Sequence, residues 1–392
     1  MAIVYTMFIY MLSSCITVFD PPANMKDTAG ILVVEGVILE EGTKITLSRT
    51  VKLNEESLSE FYLFADLNRA TIQIIDENLH VIAVATQESN YTPYIVKERI
   101  SFIPGMKYAL DIHTIDNKHY RSAFVEPVHT PEIDEVTYQI KEDNSIDIMV
   151  STHNPTNETL YCLWSFEENW EIASRYLPIL LYDPINRQII TPSLYGYNKY
   201  YCWASLSSQS LMLASSEKFG EAVIRNHKIH TLQPGTSRYS YLYSINVSQY
   251  QLNQETYMYF YNLQKNMDES GSLFAPQPSE ITGNIQCLSD PDEPVIGYIF
   301  ASKATTSRIF IPMTELRLNL FYDDLSNYGC SPVEFAASSY SINDLLLMGW
   351  GYYGAADNGN HLAVSGPCAD CTERGLGSPQ KTKPDFWPNN HQ

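Results

Sequence analysis

From Gly30 to Glu126 apolar and polar residues alternate over short runs: ILVVEGVILE, TKITLSRTVK, ATIQIIDE, HVIAVATQ, YIVKERISF, MKYALDIHTI and KHYRSAFVE. A period of two places one face of each run toward a core, so these runs predict strands. Asp76-Glu77-Asn78, Pro104-Gly105 and Asp116-Asn117 between them supply the chemistry of tight turns. About seven short strands in about 100 residues is the pattern of an immunoglobulin-like (Ig-like) β-sandwich, which is expected over 30–126. The stretch Glu126 to Glu132 holds two prolines and no apolar period, and marks a boundary. Residues 132–392 then read as a larger β-rich domain. TYQIKEDNSIDIMVST predicts two strands around Glu142 to Ser145, and RYSYLYSINVSQY predicts another. A helix is expected where Asn253 caps NQETYMYFYNLQKNM, with Tyr257, Phe260, Tyr261 and Gln264 at helical spacing and Gly271 ending it. The fold class is therefore mainly β with a few helices.

The first 15 residues, MAIVYTMFIYMLSSC, are apolar and end in small residues before Cys15. The run is shorter than the roughly 20 residues a spanning helix needs. Apolar run, small residues and then Cys is the order of a lipoprotein signal, in which Cys15 becomes the lipidated first residue, although no Lys or Arg precedes the run. Residues 16–29 would form the tether. The alternative is a hydrophobic first strand with a buried Cys. Six cysteines then remain, Cys162, Cys202, Cys287, Cys330, Cys368 and Cys371, an even number that suggests disulfides with no pairing assigned. Cys368 and Cys371 have the C-x-x-C spacing, but Gly366-Pro367 and Gly375 bracket them, and a structural zinc would need a second close pair.

Candidate catalytic arrangements are weak. Glu167 and Glu168 are adjacent, and neighbours on a strand face opposite ways, so they cannot form an acid–base pair. His227 and His230 would share a helix face without a third ligand nearby. Asp290/Asp292 and Asp323-Asp324 suit surface turns better than calcium. GxSxG, HExxH and P-loop motifs do not occur. No catalytic residue, metal or cofactor is expected. GWGYYGAADNG, from Gly349 to Gly359, mixes rings with glycines and is expected to be a loop. Trp350, Tyr352 and Tyr353 in it are candidate recognition residues, because rings provide contact area at little entropic cost. A glycine-rich turn folded over the sheet is the alternative. Phe386-Trp387 and the cysteines suggest that the C-terminal tail is pinned to the body.

Composition narrows the partners. The 392 residues carry 25 Lys+Arg and 45 Asp+Glu, a formal charge of −20, which argues against binding a polyanion. With 28 Tyr, 15 Phe and 5 Trp the chain has enough apolar surface to fold. The tyrosine excess also favours strands.

Tyr201 to Trp203 (YCW), GSLFAPQPSEITGN from Gly271, PDEPVIGYIFAS from Pro291, SRIFI from Ser307, PCADC with KPDFWP, and LVVEG from Leu32 with LSRT in the next strand together resemble the domain-of-unknown-function family 4249. The resemblance runs nearly end to end. It implies a lipoprotein of the Bacteroidota outer membrane, periplasmic or cell-surface, and an accessory role beside a TonB-dependent β-barrel transporter in nutrient uptake. It carries over no catalytic residues. Gly297 and Arg308 lie in its best-matched stretch and are expected to determine the fold, the glycine by its backbone conformation and the arginine through a buried carboxylate. Asp27-Thr28-Ala29 resembles a short O-glycosylation sequence of that phylum, and Pro104 to Tyr108 is similar to transthyretin-like modules.

A non-enzymatic envelope lipoprotein is thus the leading expectation, with a secreted hydrolase using carboxylates, or a purely structural envelope protein, as alternatives. Replacing Cys15 with Ala should move the protein from the membrane fraction to the soluble fraction of fractionated cells. Unchanged membrane attachment would remove the anchor.

Overall fold

The computed structural model describes residues 30–50, 67–183, 186–192, 201–269, 282–316, 330–373, 377 and 379–388. Cys15, the tether, Gly271 and Asp323-Asp324 lie outside them. The protein is mainly β, with 47% strand and 10% helix among the described residues. The first third supplies β1 (Leu32–Leu39), β2 (Lys44–Arg49), β3 (Thr71–Asp76), β4 (Val81–Gln87), β5 (Tyr94–Ile95), β6 (Tyr108–His113), β7 (His119–Ser122) and β8 (Val128–His129). Then follow β9 (Ile133–Ile140), β10 (Ile146–His153), β11 (Tyr161–Ala173), β12 (Leu181–Asp183), β13 (Gln188–Ile190), β14 (Tyr201–Ser207), β15 (Met212–Ser215), β16 (Val223–Leu232) and β17 (Leu242–Gln251). The helix Gln254–Glu269 precedes β18 (Ile285–Cys287), β19 (Val295–Gly297), β20 (Ala301–Lys303) and β21 (Thr305–Pro312). Last come β22 (Val333–Phe335), the helix Ile342–Leu347, β23 (Trp350–Ala355), β24 (His361–Ser365) and the short helix Gly366–Ala369.

Each of the seven alternating runs before Glu126 contains one of the first seven strands. Their turns follow the local chemistry. Met106 N–H donates to Ile103 C=O across Pro104-Gly105, with Gly105 at φ +78°, and Asn117 takes φ +64° in the β6–β7 turn. Hydrogen bonding links eleven strands in the order β18-β7-β6-β3-β4-β5-β2-β1-β20-β8, with β19 on β1. Leu32, Val34 and Ile38 of β1, Ile72 and Ile74 of β3, and Leu110 and Ile112 of β6 fill one core, so this sheet curls about its own interior.

Residues 285–303, far beyond the proline-marked boundary, complete this first unit. β1 pairs in parallel with β19 through Leu32 to Val34 and with β20 through Ile38 and Leu39. The approach is close enough to require glycine. Gly297 sits at φ +142°, and a Cβ there would lie 2.2 Å from Val34 O. A Cβ on Gly283 would lie 2.0 Å from Gly297 O. Asn284 acts as a surrogate rung: its carboxamide donates to Ile299 O (2.7 Å) and accepts from Ile299 N (2.8 Å). Lys118 Nζ (2.7 Å) and the Tyr120 hydroxyl (2.8 Å) both bond Glu293, tying the returning segment to β7.

The second unit combines the three-stranded sheet β16-β10-β9 with the five-stranded sheet β14-β11-β17-β21, which also carries β15. Ile146, Ile148 and Val150 from the first share one core with Trp164, Trp170, Tyr243, Ile245 and Val247 from the second. The buried indoles keep their hydrogen bonds, Trp164 to Gln249 Oε1 and Trp170 to Ser237 Oγ, both at 2.9 Å. Asn253 caps the helix through Thr256 N (2.8 Å). Tyr257 and Phe260 of that helix wedge between Tyr161, Leu163 and Tyr250 of the second unit and Val37, Tyr298 and Phe300 of the first. Gln249 Nε2 closes the same junction by donating to Pro131 O (2.9 Å) and Thr152 Oγ1 (3.0 Å).

Gly297→Ala should therefore cost about 3 kcal/mol or more, since it adds strain at positive φ and a backbone clash. Gly220→Ala, where an added Cβ meets nothing within 4 Å, should stay within about 0.5 kcal/mol. Urea unfolding monitored by tryptophan fluorescence compares the two.

Candidate functional site

The stretch Gly349 to Gly359 forms one arm of a hairpin where a loop is expected. Trp350–Ala355 is β23, paired antiparallel to β24 with a register shift between Tyr352 and Gly354. The glycines that argue against a strand have separate local causes. Gly349 (φ +84°) and Gly359 (φ +83°) make the turns at either side. Gly351 is packed so closely that a Cβ would lie 3.0 Å from the Ala369 Cβ and 3.1 Å from the Pro178 Cβ. β22 joins the other side of β24, and Glu334 on it holds the far turn by accepting from Asn358 Nδ2 and from Asn360 Nδ2 (2.7 Å). A capping box between Ser341 and Asp344 starts the helix Ile342–Leu347 that leads into β23.

This C-terminal module has a small core of Leu181, Ile190, Cys330, Val364, Cys368 and Ala369. Disulfides supplement it. Cys330–Cys368 closes the module, and Cys202–Cys371 fixes it to β14. With sequence separations of 38 and 169, loop closure gives about 4 and 5 kcal/mol respectively. Cys162 and Cys287 are free and buried, and burial pushes the Cys162 thiol well up. The tail is pinned: Trp387 is buried against Phe310, with ring centroids 5.7 Å apart.

Large apolar side chains nevertheless face solvent on this module. Leu347 is 66% exposed and Met348 58%, and Tyr340 and Tyr353 are exposed as well. Phe335 stacks edge-on against Trp350 (4.9 Å) and Tyr340 (5.6 Å), while Tyr353 meets Tyr176 (5.2 Å). Of the three candidate recognition rings, Tyr353 is exposed, and Trp350 and Tyr352 are half-buried.

The expected buried carboxylate for Arg308 is replaced by neutral partners. Its Nη1 donates to Asn169 Oδ1 (2.9 Å) and Ser244 Oγ (3.1 Å), and its guanidinium lies 3.7 Å over the Phe386 ring. The buried ion pair belongs instead to Glu168 and Arg238, because alternation on β11 turns Glu168 inward and leaves Glu167 exposed. Arg238 donates through Nε (2.7 Å) and Nη2, and the Tyr243 hydroxyl adds a third bond (3.0 Å). His227 and His230 lie on β16, not on a helix. His230 Nε2 is 3.5 Å from Glu168 Oε2, outside good hydrogen-bond geometry, and His227 stacks on Trp164 (5.1 Å). Asp290 forms a surface turn, accepting from Asp292 N (3.2 Å).

One polar cluster is missed by the sequence reading. Asp111 and His113 on β6 face His119 and Arg121 on β7, in the register His113↔His119 and Asp111↔Arg121. Both imidazoles and the guanidinium converge on the Asp111 carboxylate. The signal was present as D-x-H and H-x-R on either side of the Asp116-Asn117 turn. A hairpin folds two such i, i+2 pairs onto one face.

Fold and site together define a mainly β protein with two cores and a disulfide-stapled aromatic module. The chain matches the domain of unknown function DUF4249 over residues 17–308, and it belongs to that family. No curated protein matches it. Among solved structures it is similar to the chicken interferon gamma receptor alpha chain, at 6% identity, over 56% of this chain and 89% of that chain, with a TM-score of 0.14. A likeness at that level carries no argument about function.

The Glu168 cluster makes a pH prediction. Burial alone would raise the Glu168 pKa, but Arg238 and His230 outweigh it and hold it at about 2, below the ordinary 4.5. As pH falls the unfolded chain takes up this proton first, so the stabilisation is present above about pH 5 and is lost on acidification toward pH 2. Glu168→Gln should flatten that acid limb in pH-dependent urea unfolding. At neutral pH it should cost about 3–5 kcal/mol, because Arg238 is left buried without its partner.

Proposed function

We propose that this protein is a non-enzymatic binding protein of the cell envelope, lipid-anchored at Cys15 on the outer membrane, that docks on a TonB-dependent β-barrel transporter. In this reading the first unit is an Ig-like spacer above the tether, and the C-terminal module is the docking element. The observation that carries it is the exposure of Leu347, Met348, Tyr340 and Tyr353 on a module that disulfides hold rigid. Exposed apolar anchors on a preorganised frame are what a protein partner buries, at little entropic cost. Two disulfides support an oxidising location outside the cytoplasm. The transporter as partner follows from the family resemblance.

A hydrolase reading is less well supported by the buried carboxylates. Hydrogen bonds and cations hold Glu168 and Asp111 below their ordinary pKa. A general acid requires the opposite shift.

The test is co-purification of the native lipoprotein in mild detergent. Wild-type protein should bring down a β-barrel transporter, and Leu347→Ala combined with Tyr353→Ala should weaken that binding roughly tenfold or more. Leu347 is exposed and Tyr353 gives up only its edge contact with Tyr176, so the double variant should still fold, with an unfolding midpoint at or slightly below the wild-type value. A wild-type preparation that repeatedly lacks any transporter would overturn the proposal.

A further inference from the structure

The β6–β7 hairpin places two imidazoles and a carboxylate on one sheet face, on alternate rungs of the ladder with the Ile112–Tyr120 pair between them. His119 Nε2 lies 2.8 Å from Asp111 Oδ1, and His113 Nε2 lies 3.0 Å from Asp111 Oδ2. The two rings are stacked with centroids 4.0 Å apart. One ligand atom from each of the three residues falls within 4.8 Å of the others.

The fourth member divides the carboxylate between two tasks. Arg121 Nε donates to Oδ1 at 2.6 Å. That bond orients the carboxylate as an outer partner does for a ligating side chain; it shares Oδ1 with His119 and leaves Oδ2 directed at His113. The cluster opens to solvent on one side: the Asp111 side chain is 6% exposed, His119 26% and His113 50%. Cation entry is thus open while the charged ligand is shielded, and the net charge of −20 attracts cations to the protein.

The geometry points to a binding site for a divalent late transition-metal ion of the zinc class, ligated by His113 Nε2, His119 Nε2 and Asp111 Oδ2. Such ions bond nitrogen and oxygen at about 2.0–2.2 Å, which sets neighbouring ligand atoms about 3 Å apart. His113 Nε2 already lies 3.0 Å from Asp111 Oδ2, and with all three ligand atoms within 4.8 Å of one another the metal would draw His119 Nε2 from Oδ1 toward the same point, each ring carrying its proton on Nδ1. Imidazole donors select zinc, nickel or copper over calcium or magnesium. Three protein ligands leave further positions for water or a ligand group. None of this depends on the proposed docking of the C-terminal module, which lies on other strands.

The experiment uses untagged full-length protein freed of metal by chelator dialysis and titrated with zinc chloride by calorimetry. One equivalent should bind, and His113→Ala and His119→Ala should each weaken that binding at least tenfold while metal-free thermal unfolding stays unchanged for the half-exposed His113. As a readout needing no substitution, the NMR ring-proton signals of His113 and His119 should shift on addition of one equivalent of zinc. Failure to bind zinc stoichiometrically, binding retained in both variants, or ring signals that do not move would each overturn the site.

Discussion

The parallel pairing of β1 with β19 and β20 is the constraint on which the architecture rests. It binds the first folded segment of the described chain to residues more than 250 positions later, and so places most of the second unit, β9 to β17, between two halves of the first, with β21 following the second half. Parallel neighbours need a long crossover, and here that crossover contains most of a second folded unit. The pairing is possible because Gly283 and Gly297 present no side chain where backbones nearly touch, and because Asn284 completes the ladder with its carboxamide. The chain therefore crosses between the two units more than once, and the helix Gln254–Glu269 fills the seam with aromatic rings.

The C-terminal module is organised by a different principle. Its core is too small to fix a fold by burial alone, so covalent staples and side-chain pinning take over that role. Rigidity achieved in this way leaves the surface free to carry apolar residues that a larger core would have drawn inward. The first unit, with a well-filled interior, instead carries its distinctive chemistry outside, as a polar cluster on the β6–β7 face. The two candidate sites thus lie where packing leaves side chains free.

Local pattern made much of the fold legible. The seven runs before Glu126 become strands because alternation, β-branched residues and turn chemistry agree there, and Asn253 caps its helix as its side chain requires. The β23 strand is hidden in a stretch whose glycines suggest a loop, because Gly349 and Gly359 make the turns on either side of it and Gly351 makes room for Pro178 and Ala369. Arg308 was assigned the wrong kind of partner because sequence gives the donor and not what faces it. Asn169 and Ser244 occupy that space, and the buried carboxylate lies one residue from Asn169, at Glu168.

By itself the sequence determined the class: period-two burial, turn residues and tyrosine-rich composition specify a β protein, and its ordered motifs specify the family. Tertiary structure decided everything that depends on which distant segments meet. It chose Cys202–Cys371 and Cys330–Cys368 from the cysteines, brought Glu168 to Arg238, and returned residues 285–303 to the first sheet beside β1 and β7. It also set the hairpin register that gathers Asp111, His113 and His119. Local residues fix backbone conformation at short range, whereas pairing between remote segments is selected by the combined packing of the two cores, which no short stretch of sequence contains.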